Sequence, residues 1–136
     1  MPVIYKLNPA EKFIYTQCVG NVTPEEISEH FRELARDPDC PDRLTVLLDL
    51  RETTSVPWTF QLRGVNQDLD RVRTRVAFDA CAIVASKVVL FGMMRMFAVL
   101  AQSHFTSIRV FRTFAEAEEW LAAQKSVEKV PGAHFE

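Results

Sequence analysis

The sequence predicts an α/β domain with a single, mainly parallel sheet of about five strands, an N-terminal antiparallel hairpin and four helices. Three observations support this fold class. Segments with the pattern of strands alternate with segments that have the period of amphipathic helices over most of the 136 residues. The inner strand segments are continuously apolar, which is typical of strands buried on both faces of a parallel sheet. A short break at Asn8-Pro9 separates the first two strand segments and favours a hairpin.

The composition is that of one ordinary globular domain. The chain has 16 Lys and Arg against 18 Asp and Glu, and 48% of its residues are hydrophobic. A formal net charge of −2 argues against a general nucleic-acid-binding protein, which normally carries a basic face. The three cysteines stand far apart, and neither Cys-x-x-Cys nor His-x-x-x-His occurs. We therefore expect no metal site, no disulfide framework and no cofactor.

The N-terminal third contains the clearest local signals. The segments Val3–Leu7 and Phe13–Val19 are rich in residues that favour strands and form the predicted hairpin. A helix begins after Thr23, because Pro24 suits the first helical position and Glu26 stands where a capping box requires an acceptor.

The middle third predicts two buried strands separated by a helix. Leu44–Leu50 is continuously apolar and has the character of a central strand. Arg51–Trp58 is a polar loop that contains a proline, and Thr59–Val76 has the spacing of a second amphipathic helix. Ala80–Ala85 is another short buried strand.

The C-terminal third predicts a helix over Val88–Ala101, a strand over Ser107–Phe111 and a last helix over Thr113–Leu121. The first of these helices is too short to span a bilayer, which requires about 20 residues. We therefore assign one domain to residues 1–124 and a loose tail to residues 125–136, where charged residues, proline and glycine occur without periodicity.

The helix predicted at Val88–Ala101 has no broad polar face, and Arg95 is its one charged residue. Such a helix is either covered on all sides or presents a surface to a partner. Self-association as a homodimer, an apolar ligand such as a lipid, and burial by neighbouring helices all remain open. Arg95 itself either pairs with a structural acid such as Asp49, lies on an exposed stripe, or contacts an anion beside a ligand or membrane.

An apolar pocket is the second hypothesis for a site. Trp58 and Phe60 follow the loop after a central strand, and ligands of open α/β sheets bind beyond the carboxyl ends of the strands. The architecture is also similar to that of the CRAL-TRIO lipid carriers, which is an analogy of fold alone. The residues predicted for a ligand or partner surface are Trp58, Phe60, Phe91, Met93, Met94, Arg95 and Phe97.

Four motifs in this order carry a resemblance to a known family. They are Gly-Asn-Val-Thr-Pro-Glu-Glu at 20–26, Leu-Leu-Asp-Leu at 47–50, Phe-Gly-Met-Met-Arg-Met-Phe at 91–97, and Val-Phe-Arg-Thr-Phe-Ala-Glu-Ala-Glu-Glu-Trp-Leu at 110–121. Over roughly Val3 to Ala123 the chain resembles the SpoIIAA-like family of small bacterial proteins, which share the STAS fold of anti-sigma-factor antagonists. The resemblance implies a regulatory or binding module that is not an enzyme.

The best-known antagonists are phosphorylated by a partner kinase on a serine that follows an aspartate at the start of a helix. This Asp-Ser pair is missing here, because Arg51-Glu-Thr-Thr-Ser-Val-Pro-Trp follows the strand that ends in Asp49-Leu50. Thr53, Thr54 and Ser55 are loose stand-ins for a phosphorylation switch. We also find no nucleophile motif around a serine and no acid or base partner for Asp49, and we therefore expect no enzyme.

The sequence thus predicts a cytoplasmic, non-enzymatic module that acts by binding a protein or ligand and is a homodimer. The N-terminus shows no secretion signal, which supports the cytoplasm. The alternative is a protein that binds an apolar, lipid-like ligand and associates peripherally with the membrane through the helix at 88–100.

Overall fold

The computed structural model describes residues 3–55, 59–72 and 76–129. Five strands are present in these ranges: β1 (Val3–Asn8), β2 (Phe13–Gly20), β3 (Arg43–Thr53), β4 (Ala77–Val84) and β5 (Ser107–Phe111). The helices there are α1 (Pro24–Arg36), α2 (Thr59–Val72), α3 (Val88–Ala101) and α4 (Phe114–Lys129), with a short 3₁₀ turn at Gln102–His104.

The strands form one sheet in the order β1-β2-β3-β4-β5. β1 pairs antiparallel with β2, and every later neighbour pair is parallel. This arrangement confirms the predicted fold class of a mainly parallel five-stranded sheet with an N-terminal hairpin and four helices.

The capping box at the start of α1 is confirmed. The backbone N–H of Glu26 donates to Thr23 Oγ1 at 3.2 Å, and the backbone N–H of Thr23 donates to Glu26 Oε1 at 2.8 Å. These two side-chain oxygens accept hydrogen bonds from backbone N–H groups at the start of the helix, where such donors have no intrahelical partners.

The sheet has two unequal faces, and this asymmetry positions the candidate site. The first face carries the side chains of Ile14 and Leu44 and is covered by α1, α2 and α3, while the second face carries Leu47 and Ala82 and is covered by α4. Right-handed crossovers between strands that follow one another across a sheet place their helices on one side. Because α3 packs against α2 and β5, it is the last of the three helices on the first face.

The boundaries of four elements differ from those predicted by three residues or more, among them the start of β4, which lies at Ala77 and not at Ala80. β3 continues to Thr53. The sequence predicted helix up to Val76, of which α2 comprises the part to Val72, and residues 73–75 lie outside the described residues. Val76 is instead a fully buried residue immediately before β4. α4 continues to Lys129, past the predicted end of the last helix at Leu121, and the rest of the predicted tail lies outside the described residues. Residues 122–130 contain no glycine or proline that would stop a helix before Pro131.

Candidate functional site

α3 has one side in the core of the domain and one side on its surface. Leu90, Met94 and Phe97 are buried in the core of the first face, with at most 6% of each residue exposed. Phe91 and Met93 are half-buried at the border of this core. The positions of Met94 and Phe97 along the helix turn both side chains towards the sheet, so they are not part of the exposed side of α3, and the prediction that they contact a ligand stays a prediction.

The opposite side of α3 is exposed and apolar. We call it the α3 face and define it by Val88, Val89, Met96, Val99 and Leu100. Val88, Val89 and Val99 are 70%, 65% and 66% exposed, and outside these five residues only Ile4 and Val19 are exposed large apolar side chains in the part of the chain that the structure describes. The face exists because α3 is the outermost helix of its layer. Its residues were noted in the sequence as apolar, but periodicity could not separate them from the buried positions because almost every position of α3 is apolar.

Basic side chains lie beside the α3 face, at its N-terminal end and on the side of Phe91. The segment from Ala80 to Ala115 contains four Lys and Arg residues and no Asp or Glu. Arg95 is exposed, and the guanidinium carbons of Arg95 and Arg112 lie 5.9 and 5.5 Å from the centre of the Phe91 ring. Lys87 Nζ donates to the carbonyl oxygen of Thr53 at 2.5 Å, at the start of α3. This part of the surface is thus apolar at its centre and positively charged on the side of Phe91, whereas Oδ1 of the exposed Asp70 on α2 lies 3.6 Å from His104 Nε2, just beyond the C-terminal end of α3.

Asp49 does not pair with Arg95, because the two residues lie on opposite sides of the sheet. Asp49 is 1% exposed and faces the second side, where Arg51 Nε and Nη2 donate to its two carboxylate oxygens at 2.9 and 2.8 Å. Tyr15 Oη donates to Oδ2 at 2.6 Å, and the Arg51 backbone N–H donates to Oδ1 at 3.1 Å. The guanidinium carbon of Arg51 also lies 4.5 Å from the centre of the Phe114 ring at the start of α4.

These contacts fix the ionisation of the network. Burial by itself raises the pKa of the Asp49 carboxyl, but the hydrogen bonds from Arg51 and Tyr15 together outweigh this effect and lower the pKa below its usual value. Burial and the hydrogen bond to Asp49 both raise the pKa of Tyr15. A carboxylate whose two oxygens accept four donors within the protein is suited to holding β2, β3 and α4 together rather than to catalysis.

A small apolar cavity lies between the first face of the sheet and its helices. Its volume is about 90 Å³, and side chains from the sheet and from α1, α2 and α3 line it, among them Cys18, His30, Leu69 and Phe97. Burial lowers the pKa of His30 to about 4, so this histidine is neutral at pH 7. Pockets for small molecules measure about 300–1,000 Å³, and this space therefore accommodates only a small apolar group in the conformation seen here.

Of the predicted pocket residues whose side chains the structure describes, Phe97 alone lines this cavity. Trp58 lies outside the described residues, and Phe60 is in the first turn of α2 with its side chain outside the description. Their place in an apolar pocket stays a prediction.

A larger groove lies on the second face, beside α4. Its volume is about 330 Å³, its floor includes Phe13, Leu47 and Leu121, and the carboxylate residues Glu11 and Glu118 line it as well. The groove arises because the single helix α4 is narrower than the second face that it covers. The sequence did not indicate it, since this difference in width appears only in the tertiary structure.

A family model described as SpoIIAA-like matches residues 13–122, which is most of the chain. The chain belongs to the SpoIIAA-like family. The resemblance carried by the four sequence motifs is thereby confirmed, and with it the relation to the STAS fold. A search of curated proteins finds no match to this SpoIIAA-like chain. Members of the family and their STAS-fold relatives are generally regulatory proteins that interact with protein partners.

In this SpoIIAA-like protein, the loop after β3 uses two of its three hydroxyl groups for its own structure. Thr53 is buried and its Oγ1 donates to the carbonyl oxygen of Cys18 at 3.1 Å, while Ser55 Oγ accepts from the backbone N–H of Val22 at 3.1 Å. Thr54 is exposed, and its backbone N–H donates to the carbonyl oxygen of Gly20 at 2.8 Å. If a kinase modifies this loop, Thr54 is the residue it reaches.

If a host kinase modifies this loop, incubation of the protein with ATP and a kinase-containing extract of its host is expected to place phosphate on Thr54 and not on Thr53 or Ser55. Mass spectrometry of peptides from the wild type, Thr54→Ala and the matched control Ser55→Ala measures this result. Thr54→Ala should abolish the modification and Ser55→Ala should retain it. Phosphate on Thr53 or Ser55 would show that exposure of Thr54 does not select the modified residue, and no phosphate on any of the three would contradict a switch at this loop.

Reactive or metal-binding groups are not concentrated elsewhere in the described ranges. No group of three or more His, Cys, Asp and Glu side chains within residues 3–55, 59–72 and 76–129 is arranged to hold a metal ion. Cys18 and Cys81 are buried, and burial raises the pKa of both thiols, that of Cys18 to about 12. Thiols in such surroundings are poor nucleophiles. None of the helices described is both long and apolar enough to cross a membrane.

Proposed function

We propose that this SpoIIAA-like chain is a non-enzymatic regulatory module that binds a partner protein through the α3 face. The exposure of Val88, Val89 and Val99 is the observation that carries the proposal. Full burial of one such side chain contributes about 1.5–3 kcal/mol, so covering the face stabilises a complex substantially. Contiguous exposed apolar patches with polar borders are typical of interaction sites.

The family supports a protein as the occupant, because SpoIIAA-like members interact with regulatory protein partners. A second copy of the chain, as in the predicted homodimer, is the simplest such partner. A contact between two copies through α3, however, joins two surfaces that both carry an exposed Arg95. α3 contains no carboxylate that could neutralise them. We therefore favour a different protein.

Photo-crosslinking in the host cell tests the proposal and identifies the occupant. Benzoylphenylalanine at position 99 is expected to form a crosslink to a protein, whereas the same group at the exposed position of Glu119 on α4 forms none to that protein. The crosslinked partner, identified by mass spectrometry and then purified, should bind the wild type and lose at least tenfold in affinity for Val89→Glu.

The mass of the product separates the alternatives. A species at twice the chain's own 15.6 kDa would identify a homodimer, and an added mass of one phospholipid would identify a membrane. The absence of any crosslink specific to position 99, or a purified partner that binds Val89→Glu as well as the wild type, would contradict the proposed function.

Binding of an apolar ligand is the second candidate function, and the cavity beside Phe97 supports it. The cavity lining is almost entirely apolar, and His30 is neutral at physiological pH because of its burial. The peripheral membrane association predicted for the helix at 88–100 belongs to the same candidate. Native mass spectra of the wild type with a small hydrocarbon are expected to show a complex. Absence of this complex in Leu69→Phe, whose larger side chain fills the cavity, would support this function.

A further inference from the structure

Gly92 occupies the middle of α3, on the side that carries the α3 face. It is exposed and lies one helical turn from Val88 in one direction and one turn from Met96 in the other. A Cβ atom built on Gly92 meets no atom within 4 Å. Glycine in a helix interior costs about 0.5–1 kcal/mol relative to alanine. The packing of this chain therefore does not require the glycine, which leaves a notch between larger apolar side chains.

A notch of this kind suits the close approach of another helix. Packed helices lie about 8–10 Å apart, and the distance within this range depends on the side chains at the point of contact. Glycine at that point permits the smallest distance, and the side chains on either side of it then contact both flanks of the incoming helix. Val88, Val89 and Met96 are placed to make such contacts.

The charges beside the notch indicate which charge the partner helix carries. Lys87, Arg95 and Arg112 border the α3 face, and no Asp or Glu occurs from Ala80 to Ala115. A helix that carries acidic residues beside its apolar stripe therefore matches this surface, and a basic helix is repelled from it.

We infer that the α3 face receives an amphipathic helix of an acidic partner protein, which crosses α3 at Gly92. The inference rests on the proposed function and adds the secondary structure, the charge and the crossing point of the partner. A membrane is a poorer match, because a glycine removes apolar area from the centre of a surface whose affinity for lipid increases with that area.

A displayed library of helical hairpins, randomised at the exposed positions of one helix, tests this inference without knowledge of the natural partner. Binders selected on the wild-type protein are expected to combine an apolar stripe with a net negative charge. Their affinity should fall at least tenfold for Gly92→Leu and for Arg95→Glu, and it should fall as salt concentration rises. Gly64→Leu is the matched control, because Gly64 is exposed on α2 and its added side chain also meets open space.

Each result decides one claim. Binders that keep their affinity for both Val99→Glu and Val89→Glu do not use the α3 face and would contradict the proposed function itself. Binders that need Val99 but show no acidic bias, or that bind Gly92→Leu as well as Gly64→Leu, would overturn only the helix-crossing inference. Co-sedimentation with vesicles of phosphatidylglycerol and phosphatidylcholine is the last measurement and reports membrane binding. Membrane binding that increases in Gly92→Leu would indicate that the α3 face binds a lipid surface and not a partner helix.

Discussion

Phe97→Ala is expected to lower the free energy of unfolding by about 3–5 kcal/mol, the usual cost of removing a large aromatic side chain from a core. Val99→Ala, two residues further along the same helix, should change it by less than about 0.5 kcal/mol. The difference arises because Phe97 is 6% exposed among the core residues of the first face, whereas Val99 is 66% exposed on the α3 face. Urea denaturation followed by circular dichroism measures both values.

This pair of variants also controls the binding experiments. Similar losses of stability for Phe97→Ala and Val99→Ala would show that α3 is turned differently from the arrangement described, and the α3 face would no longer be defined. If the difference is found, substitutions at Val89 and Val99 can be used to test binding with the fold intact. Charged substitutions at Met94 or Phe97 cannot serve that purpose, because they place a charge in the core.

Arg51→Ala is expected to lower the free energy of unfolding by about 2–4 kcal/mol. Removal of one partner from a buried ion pair costs about 3–5 kcal/mol, because the other charge stays buried without compensation. The value here is smaller because the Arg51 side chain is 43% exposed and water can reach part of its site. The variant also loses the contact between the guanidinium and Phe114 at the start of α4.

A double variant separates the charge from the packing. Asp49→Asn combined with Arg51→Ala removes the uncompensated carboxylate and should be more stable than Arg51→Ala alone. The lost contact with Phe114 is the same in both variants, so it cancels from the comparison. Equal stability of the two would mean that Arg51 acts through packing alone.

The pH dependence gives an independent measurement of the same network. The folded-state pKa of Asp49 lies below the ordinary value of an aspartate, so the network contributes its stability above that ordinary value and loses it as pH falls through the folded pKa. In Arg51→Ala, burial raises the pKa of Asp49 with less opposition, and the resulting penalty disappears as the carboxyl is protonated. The stability difference between wild type and variant should therefore be largest near neutral pH and shrink below about pH 4. A difference that stays constant over this range would contradict the assigned ionisation.

The fold class could be predicted from local patterns because each pattern has a direct physical cause. The capping box at Thr23 and Glu26 satisfies backbone donors within one turn, and it appears in the structure as the sequence predicts. The bounds of α3 and β5 also agree with the sequence, since abrupt changes of polarity flank both segments. The extension of α4 to Lys129 was missed, because the charged residues before Pro131 are compatible with both a helix and a tail.

The partner of Asp49 was within reach of the sequence. Side chains two residues apart on a strand point to the same face, so Arg51 was the nearest cation to consider once β3 was recognised. Arg51 was instead predicted to lie in a polar loop, whereas β3 continues to Thr53. The shared strand face of Asp49 and Arg51 was therefore missed.

The sequence by itself determined the order of strands and helices, the parallel sheet and the presence of one exceptionally apolar helix. These follow from the spacing of apolar residues and from capping, which act over a few residues. Only the tertiary structure decided which side of that helix is exposed, because Val99 and Phe97 are equally apolar and differ only in what lies opposite them. It also decided that Arg95 and Asp49 lie on opposite sides of the sheet. Both outcomes depend on three helices sharing one face of the sheet, which leaves α3 at the end of the layer with one side uncovered.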